Sequence, residues 1–159
     1  LGQENFGFVV TAKLILGWER TCLLAPFIGS AERVLEACVN YAREREQFGR
    51  PIGKFQAIRH KLADMKVTLE VGRNLVHKAA WKIDQGEEAM LEASAAKLFI
   101  SEAGQHLARE AIQIHGGNGF TKEYHMERLY RDCMVATIGG GTSEVQRSII
   151  ARDILNMGF

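Results

Sequence analysis

Apolar residues between about Thr11 and Glu46 recur at steps of three and four (Leu14, Trp18, Cys22, then Ala31, Val34, Leu35, Cys38 and Val39), the spacing of one face of an α-helix. One long helix is the simplest account, and Pro26 and Gly29 predict either a kink in it or a helix start after a short first segment. Phe48-Gly49-Arg50-Pro51-Ile52-Gly53 breaks the pattern, because Pro51 has no N–H and two glycines bracket it. A second helix is predicted from about Lys54 to Asp84, with Phe55, Ile58, Leu62, Met65, Leu69, Leu75, Val76 and Trp81 as its apolar stripe. A third, rich in Ala, runs from about Glu87 to Ile114 and ends at His115-Gly116-Gly117-Asn118-Gly119, whose glycines tolerate left-handed backbone. Shorter helices are predicted from about Tyr124 to Ala136 and from about Thr142 to Leu155. Nothing alternates with period two for long enough to predict a strand. Trp18 and Trp81 are expected in the core, with Trp18, beside Glu19, alternatively lining a pocket and keeping it dry.

Helices joined by tight turns predict an all-α fold, an antiparallel up-and-down four-helix bundle with an additional short helix. Residues 1–10 read as a turn-like lead-in and residues 11–159 as the bundle. Opening without Met on Leu1-Gly2-Gln3-Glu4-Asn5, the chain reads as the middle of a longer protein.

Composition narrows the function classes. With 159 residues and 47% apolar content, the chain can bury a core without disulfides or metal. Lys and Arg number 20 against 19 Asp and Glu, so no net basic field draws nucleic acid. Cys22, Cys38 and Cys133 are odd in number and have no zinc-site spacing, so they read as reduced, mostly buried thiols and no metal site is expected. No run of apolar residues is long enough for a membrane span.

The most distinctive stretch is Ile138-Gly139-Gly140-Gly141-Thr142-Ser143-Glu144-Val145-Gln146-Arg147. Three glycines allow positive φ and close backbone approach to a ligand, and they lead into Thr142 and Ser143, which can cap the next helix. By residue type alone the stretch reads equally as a flexible hinge, and Glu19 as a solvated or capping carboxylate.

Four motifs change that reading. Tyr41-Ala42-Arg43-Glu44-Arg45-Glu46-Gln47-Phe48-Gly49, Gln113-Ile114-His115-Gly116-Gly117-Asn118-Gly119-Phe120, Tyr130-Arg131-Asp132 and the Gly141-Thr142-Ser143-Glu144 stretch through Arg147 occur in one order and spacing over nearly the whole chain. In that order they resemble the C-terminal helical domain of the acyl-CoA dehydrogenases. The opening residues resemble the family's passage out of a middle β-domain, so the resemblance implies an N-terminal helical domain and a β-domain beyond this chain. Such enzymes take a proton from the α-carbon of an acyl-CoA and pass a hydride from the β-carbon to FAD, which an electron-transferring flavoprotein reoxidises. They work as dimers of dimers, in the cytoplasm of bacteria or the mitochondrial matrix of eukaryotes. The isolated chain is expected to be inactive and to hold little FAD.

The resemblance assigns roles residue by residue. Arg45 and Phe48 match positions touching the FAD of a neighbouring subunit, Arg45 at the pyrophosphate, and Gln113 and Gly117 match the adenosine and pyrophosphate neighbourhood. Thr142 and Glu144 match flavin or ribose contacts, with Gln in many members where this chain has Glu144. Most members carry the catalytic Glu immediately before the Gly-Thr pair, where this chain has Gly140. A smaller group, including the isovaleryl-CoA and long-chain types, carries it on the first long helix before an Arg, and here Gly17-Trp18-Glu19-Arg20 stands there. The resemblance therefore implies Glu19 as base, Arg20 and Gly141 as substrate contacts, and the Gly140 main-chain N–H as a donor to the thioester oxygen. The competing expectation is a non-catalytic helical module, since Gly140 has no acid.

Overall fold

The computed structural model describes residues 4–156, without the side chains of residues 9 and 11–14, so the side chain of the expected stripe residue Leu14 and both chain ends lie outside what is described. Helix α1 (Gly7–Cys22) begins earlier than the periodicity predicts, inside the stretch read as a turn-like lead-in. It runs into α2 (Leu24–Glu44) through Leu23, whose backbone stays right-handed helical at φ −70° and ψ −24°. Pro26 explains the break. It has no N–H for the carbonyl four residues back, and that residue is Cys22, the last of α1. The two helices form one kinked rod, as the sequence pattern allowed.

After α2 come two strands of two residues each, β1 (Glu46–Gln47) and β2 (Arg50–Pro51), paired antiparallel. This small hairpin corrects the expectation of no strand. Its turn places Phe48 and Gly49 at φ 52° and 76°, the primed geometry that fits the strand twist. A 3-10 turn (Ile52–Lys54) leads to α3 (Gln56–Asp84), then α4 (Met90–His115), the one-turn α5 (Gly117–Phe120), a 3-10 turn (Lys122–Tyr124), α6 (Met126–Ala136) and α7 (Ser143–Ile154). The all-α bundle is as predicted.

Helix α4 is the axis of the fold, packing against α1, α2, α3, α6 and α7. Its buried face is built of small residues, including Ala93, Ala96, Ala108 and Ala111, which let neighbours approach closely. A β-carbon on Gly104 would lie 2.5 Å from the Phe27 ring, so α2 and α4 meet where only glycine fits. Met65 and Leu69 of α3, Leu107 of α4, and Met126 and Cys133 of α6 fill the main core around it. Burying a Met or Leu side chain stabilises the fold by about 1.5–3 kcal/mol.

Trp18 and Trp81 are not in this core; they are 54% and 58% exposed. Trp81 follows buried Ala79 by two positions, about 200° around the helix. It shares the outer face of α3 with exposed Val67 and Val71. Trp18 stands in the same relation to buried Arg20 on α1. Cys38 and Cys133 are buried and Cys22 is exposed, all as free thiols. Burial pushes the two buried thiols up to about 12, which leaves them protonated and inert. Among the described residues no helix is long and apolar enough to cross a membrane.

Candidate functional site

The loop between α6 and α7 takes its shape from its glycines and from polar side chains beneath it. Gly140 and Gly141 have φ of +66° and +93°, which side chains rarely adopt. Both carbonyls are held from inside the protein. Arg20 Nε donates to Gly140 O at 3.1 Å, Lys97 Nζ donates to Gly141 O at 2.6 Å, and Gln146 Nε2 donates to both, at 3.1 and 3.0 Å. Two acceptors on one nitrogen fix the orientation of the Gln146 amide. The N–H groups of Gly140 and Gly141, in contrast, donate to no protein acceptor among the described residues. Thr142 caps α7, its hydroxyl accepting from Val145 N–H at 3.4 Å. Glu144 lies exposed in the first turn, held below the usual carboxylate range by its own backbone N–H and by the Thr142 hydroxyl.

Arg20 and Lys97 are both buried, an unusual place for two cations. Arg20 is locked in place by contacts of its Nη1 with Met90 Sδ at 3.0 Å and Ser94 Oγ at 3.4 Å. Burial lowers its pKa, and the neighbouring Glu19 charge works against that. Lys97 is also lowered, by burial and then by the charge of Arg20, against the pull of Glu102 and Glu144.

Glu19, one residue before Arg20 on α1, faces the same loop. A β-carbon on Gly140 would lie 3.7 Å from Glu19 Oε1, ordinary van der Waals contact. The carboxylate therefore occupies the space into which a side chain at residue 140 would project. Helix α1 places buried Arg20 under the loop and half-buried Glu19 at its edge, since successive helical residues are turned by about 100°.

A second site lies at the other end of α4. Arg45, Phe48, Gln113 and Gly117 all line one groove of about 530 Å³, together with Phe55 and Asn118. Arg45 caps α2 in extended conformation, and its carbonyl accepts from Ile52 N–H at 2.8 Å, which fixes the base of the hairpin. Phe48 at the hairpin tip is 91% exposed and edge-on to Phe55. Its positive φ costs a non-glycine residue about 1–2 kcal/mol. Gly116 turns the chain at φ 59°, and a β-carbon on it or on Gly117 would meet nothing within 4 Å, so backbone is open to a ligand there. Beneath the groove His115 stacks on Tyr41 at 4.3 Å, and its Nδ1 donates to Ala111 O at 2.9 Å. Burial lowers its pKa and keeps it neutral, in line with a structural role.

The sequence-selected residues thus fall into two groups. Glu19, Arg20, Gly140, Gly141, Thr142 and Glu144 gather at the α6–α7 loop; Arg45, Phe48, Gln113 and Gly117 share the groove, whose lining includes none of the first group. Lys97 and Gln146 were missed as site residues. Lys97 could have been found, because it falls on the buried Ala93, Ala96 and Ile100 face of α4, where an unpaired cation needs a partner. Among the described residues no group of His, Cys, Asp and Glu could hold a metal ion. The groove suits part of a dinucleotide: Arg45 offers a donor fork for a diphosphate, the open glycine backbone allows close approach, and Phe48 offers a flat apolar face.

Residues 5–155 match the family model described as acyl-CoA dehydrogenase, C-terminal domain. An acyl-CoA dehydrogenase of Bacillus subtilis is 46% identical over 98% of this chain and 41% of its own length. The caffeyl-CoA reductase-Etf complex subunit CarC of Acetobacterium woodii is 44% identical over 98% of this chain and 41% of its own. Butyryl-CoA dehydrogenase from Megasphaera elsdenii superposes with a TM-score of 0.93 at 41% identity, over 98% of this chain and 40% of that one. The chain therefore spans 41% of the length of these two curated relatives. It belongs to the acyl-CoA dehydrogenase family, as the C-terminal domain.

Proposed function

We propose that this chain is the C-terminal part of an FAD-dependent acyl-CoA dehydrogenase in which Glu19 is the base. The residues before α1 lead in from a β-domain and the helices from α1 onward form the helical domain, with acyl-CoA as substrate and an electron-transferring flavoprotein as electron acceptor. The observation that carries the reading is the approach of Glu19 Oε1 to within 3.7 Å of the β-carbon position on Gly140. The family's usual acid is missing from the loop, and a carboxylate from α1 reaches the same space.

The chain's own groups divide the work. Glu19 takes the α-proton onto its carboxylate, and the electron pair of that C–H bond moves toward the thioester carbonyl. The free N–H of Gly140 accepts the growing charge on the thioester oxygen as a preorganised donor. Arg20 holds the loop from beneath through Gly140 O and adds positive charge beside the carboxylate. Bound FAD would supply the acceptor for the β-hydride, and the electron pair left by the α-proton would form the α,β double bond as that hydride departs. Arg45, Phe48, Gln113 and Gly117 bind the FAD of a neighbouring subunit, while Thr142 and Glu144 contact the flavin or ribose. Exposed Val67, Val71 and Trp81 on α3 and the separation of the two sites favour a homo-oligomer in which each groove serves another subunit's cofactor.

The test is the complete protein, purified with its flavin and mixed anaerobically with a series of acyl-CoA esters. Bleaching of the flavin by at least one ester is expected. Bound FAD that no acyl-CoA bleaches would favour a non-catalytic helical module. The chain alone is expected to be inactive and nearly colourless.

A further inference from the structure

The glycine loop has two sides. The Gly140 and Gly141 N–H groups donate to no protein acceptor among the described residues, while the carbonyls accept from three side chains: Arg20, beside Glu19 at the end of α1, Gln146, from the first turns of α7 that the loop leads into, and Lys97. Lys97 is different. It comes from the N-terminal third of α4, is 3% exposed, and uses its ammonium on Gly141 O at 2.6 Å. A buried lysine is costly unless the charge is used. Its surroundings are built to hold it: Ser101 Oγ lies 2.6 Å from the Lys97 carbonyl oxygen and 2.8 Å from Ala136 O, so its one proton is shared between the two acceptors and links that turn of α4 to the end of α6. The loop is thus sprung between the end of α6 and the cap of α7, with Lys97 as the fixed point in between.

We propose that Lys97 is a positioning residue for the proton-abstraction step, acting through Gly141 to hold the Gly140–Gly141 backbone against the thioester and Glu19. This rests on the reading of Glu19 as base. A cation on a peptide carbonyl both fixes that peptide and polarises its N–H, here that of Thr142, the residue that opens α7. Without the ammonium, two glycines at positive φ lose one of the contacts that select their conformation, and the loop donors leave the geometry in which they meet the thioester. Arg20 still holds Gly140 O and Gln146 still reaches both carbonyls, so the loop is expected to persist but to lose its one charged anchor on Gly141 O.

The experiment uses the full-length holoenzyme and a 3-thia acyl-CoA, a thioester with an α-proton but no β-hydride to transfer. Exchange of that proton into D2O reports deprotonation alone: Glu19 takes the proton, exchanges it with solvent and returns a deuteron. Lys97→Met, which keeps length but not charge, is expected to slow exchange roughly 10- to 100-fold with flavin content and analogue Kd unchanged. Lys97→Arg is expected to restore most of the rate. Exchange at the wild-type rate in Lys97→Met overturns the proposal. So does a loss explained by flavin release or weaker analogue binding, or a loss that Lys97→Arg does not relieve. If Lys97→Met is too unstable to purify, Lys97→Gln and Lys97→Arg give the same comparison. Glu19→Gln in the same assay separates the two readings: fast exchange there removes the base, whereas loss there with a normal Lys97→Met removes only the role of Lys97.

Discussion

Glu19 Oε1 lies 3.7 Å from the place a β-carbon on Gly140 would occupy, so α1 delivers a carboxylate to the point on the α6–α7 loop where the chain has no side chain. With Glu19 as the proposed base, the two positions are alternative attachment points for one acid. Filling both would put like charges against each other, and filling neither would leave the site without a base.

That relationship predicts a transplant. Glu19→Gly should abolish dehydrogenation in the complete enzyme, and adding Gly140→Glu should restore part of it. Restoration is only partial because residue 140 sits at φ +66°, which costs a non-glycine residue about 1–2 kcal/mol. Gly140→Glu alone, with both carboxylates present, should be slower than wild type. Flavin bleaching rates in the three variants check this.

Gly141 is constrained from two directions. Its φ of +93° disfavours any side chain, and a β-carbon there would lie 2.8 Å from Gln146 Nε2. Gly141→Ala should therefore push Gln146 off the loop carbonyls and lower stability by at least about 1–2 kcal/mol. Denaturant melts should show the loss of stability, and kcat should fall more than the melt alone explains.

The contact of α2 with α4 makes an equally local prediction. Gly104→Ala would drive a methyl into the Phe27 ring, and overpacking of this kind costs about 1–3 kcal/mol. The companion change Phe27→Leu should recover much of it, because it removes the ring the methyl meets. Thermal melts of the two single variants and the double variant measure the coupling.

Glu92, buried in the first turn of α4, predicts how stability depends on acid. Burial pushes its carboxyl up, but the Lys82 hydrogen bond at 2.8 Å, its own backbone N–H and the charges of Lys82 and Lys78 outweigh this and hold it below the usual range. A depressed carboxyl contributes stability above its unfolded pKa, and that contribution fades as pH falls below about 4.3. Melting temperature should drop through that range in the wild type, and less steeply in Glu92→Gln.

The helices were legible because three- and four-residue spacing reports a buried face directly, and Pro26 announced the kink at Leu23 through its missing N–H. Glu19 and Gly140 were legible as a pair only through motif resemblance; nothing in spacing joins residues so far apart. The hairpin at Glu46–Pro51 was hidden because two residues per strand carry no alternation, and its turn puts Phe48, not a usual turn residue, at positive φ. Trp18 and Trp81 misled because periodicity marks an apolar residue without saying which surface covers it. Lys97 was overlooked because a charged residue reads as solvated until its place on the buried face of α4 is drawn.

The central claim is that Glu19 is the base. In the complete enzyme, Glu19→Gln should retain stoichiometric FAD and bind acyl-CoA, yet show no flavin bleaching in an anaerobic single-turnover mix. Bleaching at a rate near that of the wild type would contradict the account.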